Sequence, residues 1–572
     1  MSQPLLIFDG DCGFCRRWIA YWQILTEGRV TYAAYQAVAD QHPQIPRAEF
    51  ENSVWLVEQT PAGKKTITRA AEAVVRALAV NAVSKPYLRW PFALYQRMPG
   101  MKYLMEFAYN RVAKNRVFFS RATSLLWGES IEPVRYEGTR ALFLRGMGLV
   151  YFAAFASFAV QAQAIIGPRG IFPSGLSSGA VTALWAAGMG AAFLILVNHF
   201  TRVALLSAWL AYLAVVQYGQ VFFQFQWDAL LLEMGFFSLI LAHSRGEPSR
   251  LAVWLLRWVL FKVVFFSGWV KLASGDPTWS DLTALKYHFE TQPLPTWVGW
   301  WVHQLPLSVL KWGTVAMFFV ELLLPLLFFL PRRARFFAAI VTVLLQCAIG
   351  LTGNYGFFGL EVCVLSLLLL DDQWIREHWG EQRLRGLKGP TLSLGQRPAH
   401  TWVLVLALGS AVLGQRFGLP WVQSYGVFAV MTQQRAELVI EGSLSGAPNS
   451  TDWAPYEFRW KPGDLKRRPG FVPFHMPRVD WQLWFAALGG LDQNGWVLQV
   501  ARRILEGAPE VLNLFEKTPF GGRAPQALRV VQYPYQMTSP NEREATQQWW
   551  KRGEPRLYLP AVTLRNSIGA PD

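Results

Sequence analysis

Long apolar runs dominate the middle of the chain. Nine runs of about 16–22 residues lie near positions 142–163, 180–197, 203–219, 225–243, 251–271, 311–330, 335–352, 355–371 and 401–418. Each is close to the roughly 20 residues that a helix needs to cross the hydrocarbon core of a bilayer. The pattern predicts a polytopic α-helical membrane domain over 126–400 with a last span at 401–418, about nine spans in all.

The basic residues between these runs predict the orientation of the spans. Lysine and arginine are concentrated before the first run and after the second, fourth, sixth and eighth, whereas the alternate loops are poorer in both. Cytoplasmic loops of membrane proteins carry this excess. We therefore expect the N-terminus in the cytoplasm, and the loop 272–310 and the tail from about residue 419 on the opposite side.

The two ends of the chain lack such runs and are predicted to be soluble domains. Residues 1–125 show an α/β pattern, with strands at 5–8, 30–35, 53–57 and 66–68 and helices at 16–25, 70–80, 86–97 and 101–114. Residues 419–572 are punctuated by proline and glycine and predict a mainly β domain. Its strands are expected at 427–430, 437–440, 456–460 and 528–532, and its helices at 481–488 and 497–505.

Composition supports this division. The chain of 572 residues is 52% hydrophobic, 15% aromatic and only 16% charged, which fits a membrane protein with soluble parts. Basic cytoplasmic loops account for the net charge of +16, so no nucleic-acid partner is predicted. The first residues lack the basic region of a signal peptide. Four cysteines without a Cys/His cluster predict no metal site.

Candidate redox chemistry lies between the first strand and the first helix. Cys12 and Cys15 open that helix as a C-x-x-C pair after an acidic turn, and two arginines follow. The helix N-terminus and the arginines stabilise a thiolate, which makes Cys12 the attacking thiol and Cys15 the resolving thiol. Half a zinc site and two unreactive thiols are the alternatives. The predicted catalytic residues are Asp9, Asp11, Cys12 and Cys15.

Ionisable side chains within or beside the apolar runs predict a polar pocket, roofed by the loop 272–310. Such groups are costly in a bilayer and usually face the protein interior. Lys271 stands where the fifth run ends. Structural ion pairs and interfacial snorkelling are the alternative for each residue. The pocket candidates are Asp228, Glu233, Lys271, His288 and Glu290.

The segment LIFDGDCGFCRR resembles the D-G-x-C-x-x-C signature of the DCC family of thiol–disulfide oxidoreductase-like proteins. The later segment NRVAKNRVFFSRATSLLWG resembles the end of that domain. The resemblance covers about the first 125 residues. It implies a thioredoxin-like fold and a thiol redox partner, and it leaves open whether the domain is an active oxidoreductase.

Motifs from about residue 140 to near 540 resemble the lipase maturation factor family, among them FQWDALLLEMGF, LTGNYGFF and PRVDWQLWFAAL. The resemblance implies a multi-pass membrane protein. Animal members lie in the endoplasmic reticulum membrane and help secreted lipases to fold and assemble. With the fused DCC-like domain, it implies a bacterial inner-membrane protein with a periplasmic C-terminal domain. The client-binding candidates are His475, Arg478, Trp481 and Trp484, and a structural role is the alternative for His475.

The segment GWVKL is similar to a GVKKL-type segment of vitamin K-dependent γ-carboxylases. Lys271 matches the lysine that initiates vitamin K epoxidation in that family. This alternative function implies a quinone or vitamin K-like cofactor, and otherwise no cofactor is predicted. Lys271 is equally interpreted as a structural partner of Asp228 or Glu233. In a third hypothesis, the C-terminal domain holds a secreted client and the membrane domain only anchors it.

Overall fold

The computed structural model describes two compact units of this chain. The described residues are 3–59, 65–82, 86–128, 131, 134–242, 247–387, 425–445 and 451–567. The first unit comprises Met1–Arg135 with Leu330–Arg335, and the second comprises Tyr136–Phe329 with Phe336–Asp572. The predicted span at 401–418 lies outside the described residues.

The N-terminal unit is an α/β domain built on a four-stranded sheet of order β2-β1-β3-β4. Its strands are β1 Leu5–Phe8, β2 Thr31–Ala34, β3 Trp55–Gln59 and β4 Lys65–Arg69. Strand β2 is parallel to β1, and the other pairs are antiparallel. Its longer helices are α1 Gly13–Thr26, α2 Arg47–Asn52, α3 Ala70–Ala79, α4 Arg89–Arg97, α5 Met101–Lys114 and α6 Arg116–Trp127.

Strand β1 is the centre of this sheet because both of its faces are covered. Leu6 packs with Ile19 of α1 and Ala73 of α3, whereas Ile7 packs with Tyr35 and Phe50 on the other side. Successive side chains of a strand point to opposite faces. A continuous apolar run such as LLIF is therefore the pattern of a strand buried on both sides.

Among the described residues, six helices are long and apolar enough to cross a membrane. They are α7 Glu137–Ala159, α8 Ser178–Leu196, α9 Thr201–Phe223, α11 Arg250–Ala273, α14 Leu307–Phe329 and α15 Arg332–Thr352. The fourth and eighth predicted runs form shorter helices, α10 Gln226–Leu241 and α16 Phe358–Leu369. Nine spans are therefore not confirmed, since only six helices in the described part of the chain reach spanning length.

Helix α14 is irregular in its second half. Its backbone widens into a π-turn over Phe319–Leu323 and tightens into a 3₁₀ turn over Leu324–Phe329. Pro325 explains the change, because proline has no N–H to donate to the carbonyl of Glu321, one turn earlier. Single π-turns within α-helices are frequent at functional sites. This one carries Glu321, which is buried.

The loop 272–310 between α11 and α14 is itself largely helical. It contains α12 Ala284–Thr291 and α13 Trp297–His303. After α16 the chain forms α17 Asp372–Trp379 and α18 Glu381–Leu387. Helix α17 packs beside the start of α7, where Asp372 accepts a hydrogen bond from the Thr139 amide at 3.0 Å.

The C-terminal region is built on a six-stranded sheet of order β10-β8-β5-β6-β7, with β9 paired to β8. The strands are β5 Arg435–Ser443, β6 Ala454–Phe458, β7 Phe515–Lys517, β8 Ala527–Met537, β9 Trp550–Arg552 and β10 Arg556–Val562. All of these pairs are antiparallel. Its longer helices are α19 Arg478–Ala486, α20 Trp496–Leu505 and α21 Pro540–Thr546.

The strand predicted at 427–430 is wrong. Phe428 has a φ of +56°, which belongs to the left-handed region and not to a strand. Its carbonyl and that of Ala429 accept hydrogen bonds from the Trp279 indole at 3.1 and 3.2 Å. The carbonyls of this segment are therefore satisfied by the loop 272–310. Strand propensity describes only local sequence and cannot predict such a long-range contact.

The C-terminal region is joined to the membrane helices through a buried ion pair. Arg478, at the start of α19, donates to both carboxylate oxygens of Asp228 in α10, at 2.6 and 2.7 Å. Both side chains are at most 2% exposed. Near the end of α7, Gln161 donates to the Met476 carbonyl at 2.7 Å and accepts from the Arg478 amide at 2.9 Å. The two parts consequently form one packed body.

Replacing Arg478 should therefore destabilise the whole second unit. Arg478→Leu leaves the Asp228 carboxylate buried without a cation, with only the Tyr212 hydroxyl still donating to it, so we expect a loss of about 3–5 kcal/mol in the free energy of unfolding. Arg478→Leu/Asp228→Leu should recover much of this loss, because no lone charge remains. Thermal unfolding in detergent micelles provides the measurement.

Arg502→Leu is the matched control, because Arg502 forms a partly exposed ion pair with Glu506. Its loss should cost at most about 1 kcal/mol. If Arg478→Leu is no less stable than Arg502→Leu, the buried pair does not hold the unit together.

Candidate functional site

The C-x-x-C pair lies at the junction of β1 and α1. Cys12 caps α1, and its Sγ accepts a hydrogen bond from the Cys15 amide at 3.2 Å. A sulfur in this position lies at the positive end of the helix dipole, which favours its thiolate. The local order predicted from the sequence, strand, acidic turn, cysteine pair and helix, is thus present.

The acidic turn is organised by Gln36, which follows β2. The Gln36 amide nitrogen donates to Asp9 at 3.3 Å and to Asp11 at 3.0 Å, and its oxygen accepts from the Gly10 amide at 3.1 Å. A Cβ at residue 10 would lie 2.7 Å from that of Ala34, so this close approach requires glycine. Asp9 and Asp11 therefore accept the hydrogen bonds that position the turn.

Arg116, at the start of α6, is the cation beside the cysteines. It pairs with Asp9 at 3.1 Å. Burial lowers its pKa, but the charges of Cys15 and Cys12 outweigh burial, so the pKa of Arg116 is raised. The sequence predicts that the positive field comes from the two arginines directly after the cysteines. Arg17 instead donates to Ser124 at 2.6 Å.

Cys15 differs from Cys12 in its environment. Burial, and then the hydrogen bond with Cys12 and its charge, raise the pKa of Cys15 to about 12. Cys15 is therefore a protonated thiol near neutral pH. A protonated Cys15 is compatible with the resolving role predicted for it. Both cysteines are free thiols in this structure.

The predicted membrane pocket is occupied by separate ion pairs. Glu233 of α10 pairs with Lys262 of α11 at 2.5 Å, and it also accepts a hydrogen bond from the Tyr425 hydroxyl. Asp228 pairs with Arg478, as described above. These acids are thus held by side chains from other elements, which agrees with the structural alternative for both residues.

Lys271 does not pair with Asp228 or Glu233, and that expectation is wrong. Its ammonium donates to Glu321 of the π-turn at 2.8 Å and to the Ser267 carbonyl at 2.9 Å, and its side chain is 3% exposed. It also lies over the Trp279 ring, 5.5 Å from the centroid. A buried ammonium that donates to a carboxylate is a structural ion-pair member. The geometry supplies no free base at this position.

Of the two candidates on α12, Glu290 contacts the C-terminal sheet, whereas His288 packs against the Phe428 ring. Burial, and then the charge of Lys271, lower the pKa of His288 to about 4, so its imidazole is neutral. Glu290 accepts a hydrogen bond from the Met537 amide at 2.8 Å. Arg435 of β5 donates to the Glu290, Gln292 and Pro293 carbonyls. These hydrogen bonds fix the loop 272–310 to the sheet. The loop therefore packs against the C-terminal region instead of covering a polar pocket.

Three of the four predicted client-binding residues are not accessible. Arg478, Trp481 and Trp484 are at most 6% exposed. Trp484 donates its indole N–H to the Thr291 carbonyl at 2.7 Å, and Trp481 packs on Trp227. Their aromatic and cationic side chains join the domain to the membrane helices, which is why they cannot contact a client in this conformation.

His475 lines a cavity of about 590 Å³ between α7 and the C-terminal domain. Its Nδ1 lies 3.0 Å from Ser157 Oγ. Burial, and then the charge of Arg478, lower the pKa of His475 to about 4. None of the membrane-pocket candidates lines this cavity. His475 is thus a neutral, hydrogen-bonded histidine, as its structural alternative stated.

Sequence reasoning missed Arg116 and Arg435 as organising residues. Arg116 lies about 100 positions from the cysteines, and only its place in the NRVAKNR segment signalled it. Arg435 begins an otherwise ordinary strand. Its burial beside Glu437, at 2.5 Å, depends on a loop some 140 residues away.

Comparison with known families divides the chain in the same way. A sequence-family model described as the lipase maturation factor transmembrane domain matches residues 138–177 and 174–377. The family model described as the lipase maturation factor C-terminal domain matches residues 421–560. A DCC1-like thiol–disulfide oxidoreductase model matches residues 6–122.

Curated relatives match most of the chain. Human lipase maturation factor 2 is 32% identical over 74% of this chain and 82% of its own length. Mouse lipase maturation factor 1 is 31% identical over 75% of this chain and 88% of its own, and the bovine protein 30% over 75% and 90%. No solved structure matches the chain.

Removing the Arg116 guanidinium should slow the reaction of Cys12 with iodoacetamide at neutral pH. We expect a roughly fivefold decrease for Arg116→Gln, since a neighbouring opposite charge in water contributes about 1 kcal/mol of attraction. Peptide mass spectrometry separates Cys12 from the other thiols. Arg111→Gln, an exposed change on α5, should have no effect. Equal rates in Arg116→Gln and the unmodified protein would exclude Arg116 from thiolate stabilisation.

Proposed function

Because the chain belongs to the lipase maturation factor family, we propose that it is a membrane-embedded factor for folding and maturation of secreted enzymes, with lipases as the model clients. The match covers the transmembrane and C-terminal domains together. This joint match is the observation that carries the proposal. The relatives are named for lipase maturation. From this relationship we infer that a lipase is a client of this chain.

The packing of the second unit supports a function that needs both of its parts. The C-terminal sheet, the loop 272–310 and the membrane helices share buried contacts, among them Arg435 with the Gln292 carbonyl and Arg478 with Asp228. A domain that was only tethered would not bury its charged groups in the anchor. These contacts argue against the third hypothesis, in which the membrane domain is merely an anchor.

The N-terminal domain is proposed to exchange thiols and disulfides. The Cys12 thiolate attacks a disulfide of a partner protein, forms a mixed disulfide and releases one partner thiolate. Cys15 then attacks the Cys12 sulfur, which closes the Cys12–Cys15 disulfide and releases the second partner thiolate. The two electrons pass from this dithiol to the partner. The reverse sequence oxidises a dithiol partner.

The proposed site of action is the inner membrane of a bacterium, with the N-terminus cytoplasmic and the C-terminal domain periplasmic. The ninth span predicted from the sequence at 401–418 is part of this proposal. Its support comes from both ends of α7. Asp372 accepts a hydrogen bond from the Thr139 amide at the start of that helix, whereas the Met476 amide donates to the Ser157 hydroxyl near its end. These positions are separated by about 27 Å of helix.

Co-expression with a secreted lipase tests the function. With the full chain in the membrane, we expect the lipase activity per milligram of secreted lipase to rise several-fold over the empty membrane. Cys12→Ser/Cys15→Ser should leave most of this gain if the second unit is sufficient, and should abolish it if redox exchange is required. No gain with the full chain for any secreted lipase would exclude the proposed function.

Impermeant maleimide labelling tests the orientation. In a background with Cys347→Ala and Cys363→Ala, a cysteine at the exposed position Ala524 should react from outside intact spheroplasts. Cys12 is the internal control and should react only after lysis. Labelling of Cys12 in intact spheroplasts would reverse the proposed orientation.

A further inference from the structure

The cavity beside His475 is a groove that opens along the exposed face of a membrane-spanning helix. Its membrane side consists of α7 residues spaced three or four apart, which therefore share one face of the helix. These are Leu149, Phe152, Ala153 and Ala156, and Val160 follows directly after the end of α7. Leu149 is 44% and Val160 74% exposed, so the groove is open on this side of the helix.

The other wall comes from the C-terminal domain and is aromatic. Trp460, Phe471 and Phe474 line it, and each ring is at least 39% exposed. Aromatic residues collect where a membrane helix meets water. Phe474 has a φ of +59°, a backbone conformation that costs energy for a bulky residue. This strained conformation holds the ring in the groove.

The polar lining comes from the end of α7 and from the C-terminal domain. It consists of Ser157, Gln161, Arg459, His475, Asp480 and Asn513. The Asp480 carboxylate is held by the Trp460 and Lys461 amides at 3.1 and 3.0 Å, whereas Arg459 is exposed. Towards the middle of α7 only apolar side chains line the groove, from Ala156 to Leu149. The α7 wall therefore changes from polar to apolar along one direction, as a phospholipid does.

The length of the groove matches one leaflet. Leu149 and Val160 are separated by about 16 Å along the helix axis. This distance is about half of the roughly 30 Å hydrocarbon core. An acyl chain that enters beside Val160 would thus end near Leu149, at the middle of α7.

A peptide segment fits this groove less well. Backbone N–H and C=O groups in the hydrocarbon region need partners, and an extended segment finds none among Leu149, Phe152 and Ala153. We propose that the groove binds one phospholipid, with an acyl chain along the exposed face of α7 and its phosphate beside Arg459. The bound lipid completes the contact between the C-terminal domain and the bilayer.

Photo-crosslinking of the full chain in phosphatidylcholine nanodiscs tests this proposal. The probe is phosphatidylglycerol with a diazirine near the end of one acyl chain. We expect the label to concentrate on the α7 peptide around Leu149, above the level on the exposed faces of α8 and α15. Equal labelling of all these helices would overturn the proposal.

Two substitutions and one control sharpen the result. Ala156→Trp fills the groove and should reduce α7 labelling roughly fivefold, the change expected for about 1 kcal/mol of binding. Phe474→Ser, at an exposed position of the C-terminal domain, should also reduce it and does not enlarge a membrane helix. Ala183→Trp adds the same side chain to an exposed position of α8 and should leave α7 labelling unchanged. Unchanged labelling in both groove variants would exclude the site.

Competition distinguishes the occupants. Unlabelled phosphatidylglycerol in the nanodisc should displace the probe. Displacement by soluble glycerol 3-phosphate instead would indicate a phosphate site and overturn the lipid assignment. Displacement by a secreted lipase polypeptide, but not by excess lipid, would make the groove a client site and likewise overturn it.

Discussion

The ion pair between Arg478 and Asp228 is the contact on which the second unit depends. An isolated charge buried away from water is expensive, and only an oppositely charged, fully hydrogen-bonded partner offsets that cost. Here the guanidinium binds both carboxylate oxygens and the Phe222 carbonyl, and it lies 3.9 Å above the Phe223 ring. Because one partner comes from the C-terminal domain and the other from α10, neither part is electrostatically complete alone.

The same arrangement recurs inside the membrane domain and sets the alignment of its helices. Glu233 of α10 faces Lys262 of α11, and Lys271 of α11 faces Glu321 of α14. A shift of one helix turn, about 5 Å, would separate each pair and leave charges unpaired. The ionisable residues that suggested a catalytic pocket thus act as fixed connections between helices. This explains why the enzyme alternative at Lys271 finds no support in the geometry.

The elements that depend on local pattern could be predicted, whereas the pairings could not. Strand β1, the cysteine turn and the apolar helices follow from hydrophobic period and capping residues. Whether Lys271 meets Asp228, Glu233 or Glu321 depends on the relative positions of three helices, and the π-turn that presents Glu321 arises from a proline four residues later. Trp481 and Trp484 were predicted to bind a client for a similar reason. The sequence does not distinguish an aromatic residue on a binding surface from one buried in an interface between domains.

The position of the cysteines limits how such a protein can assist folding. All four lie before residue 364, so residues 421–560, which match the C-terminal domain of the family, contain no thiol. In the proposed orientation, the C-terminal domain cannot form a mixed disulfide with a client. On the side of the membrane where the C-terminal domain lies, assistance to client folding therefore requires non-covalent contacts with the surface of this domain. The dithiol at Cys12 and Cys15 then serves partners on the other side, which separates redox exchange from client folding within one chain.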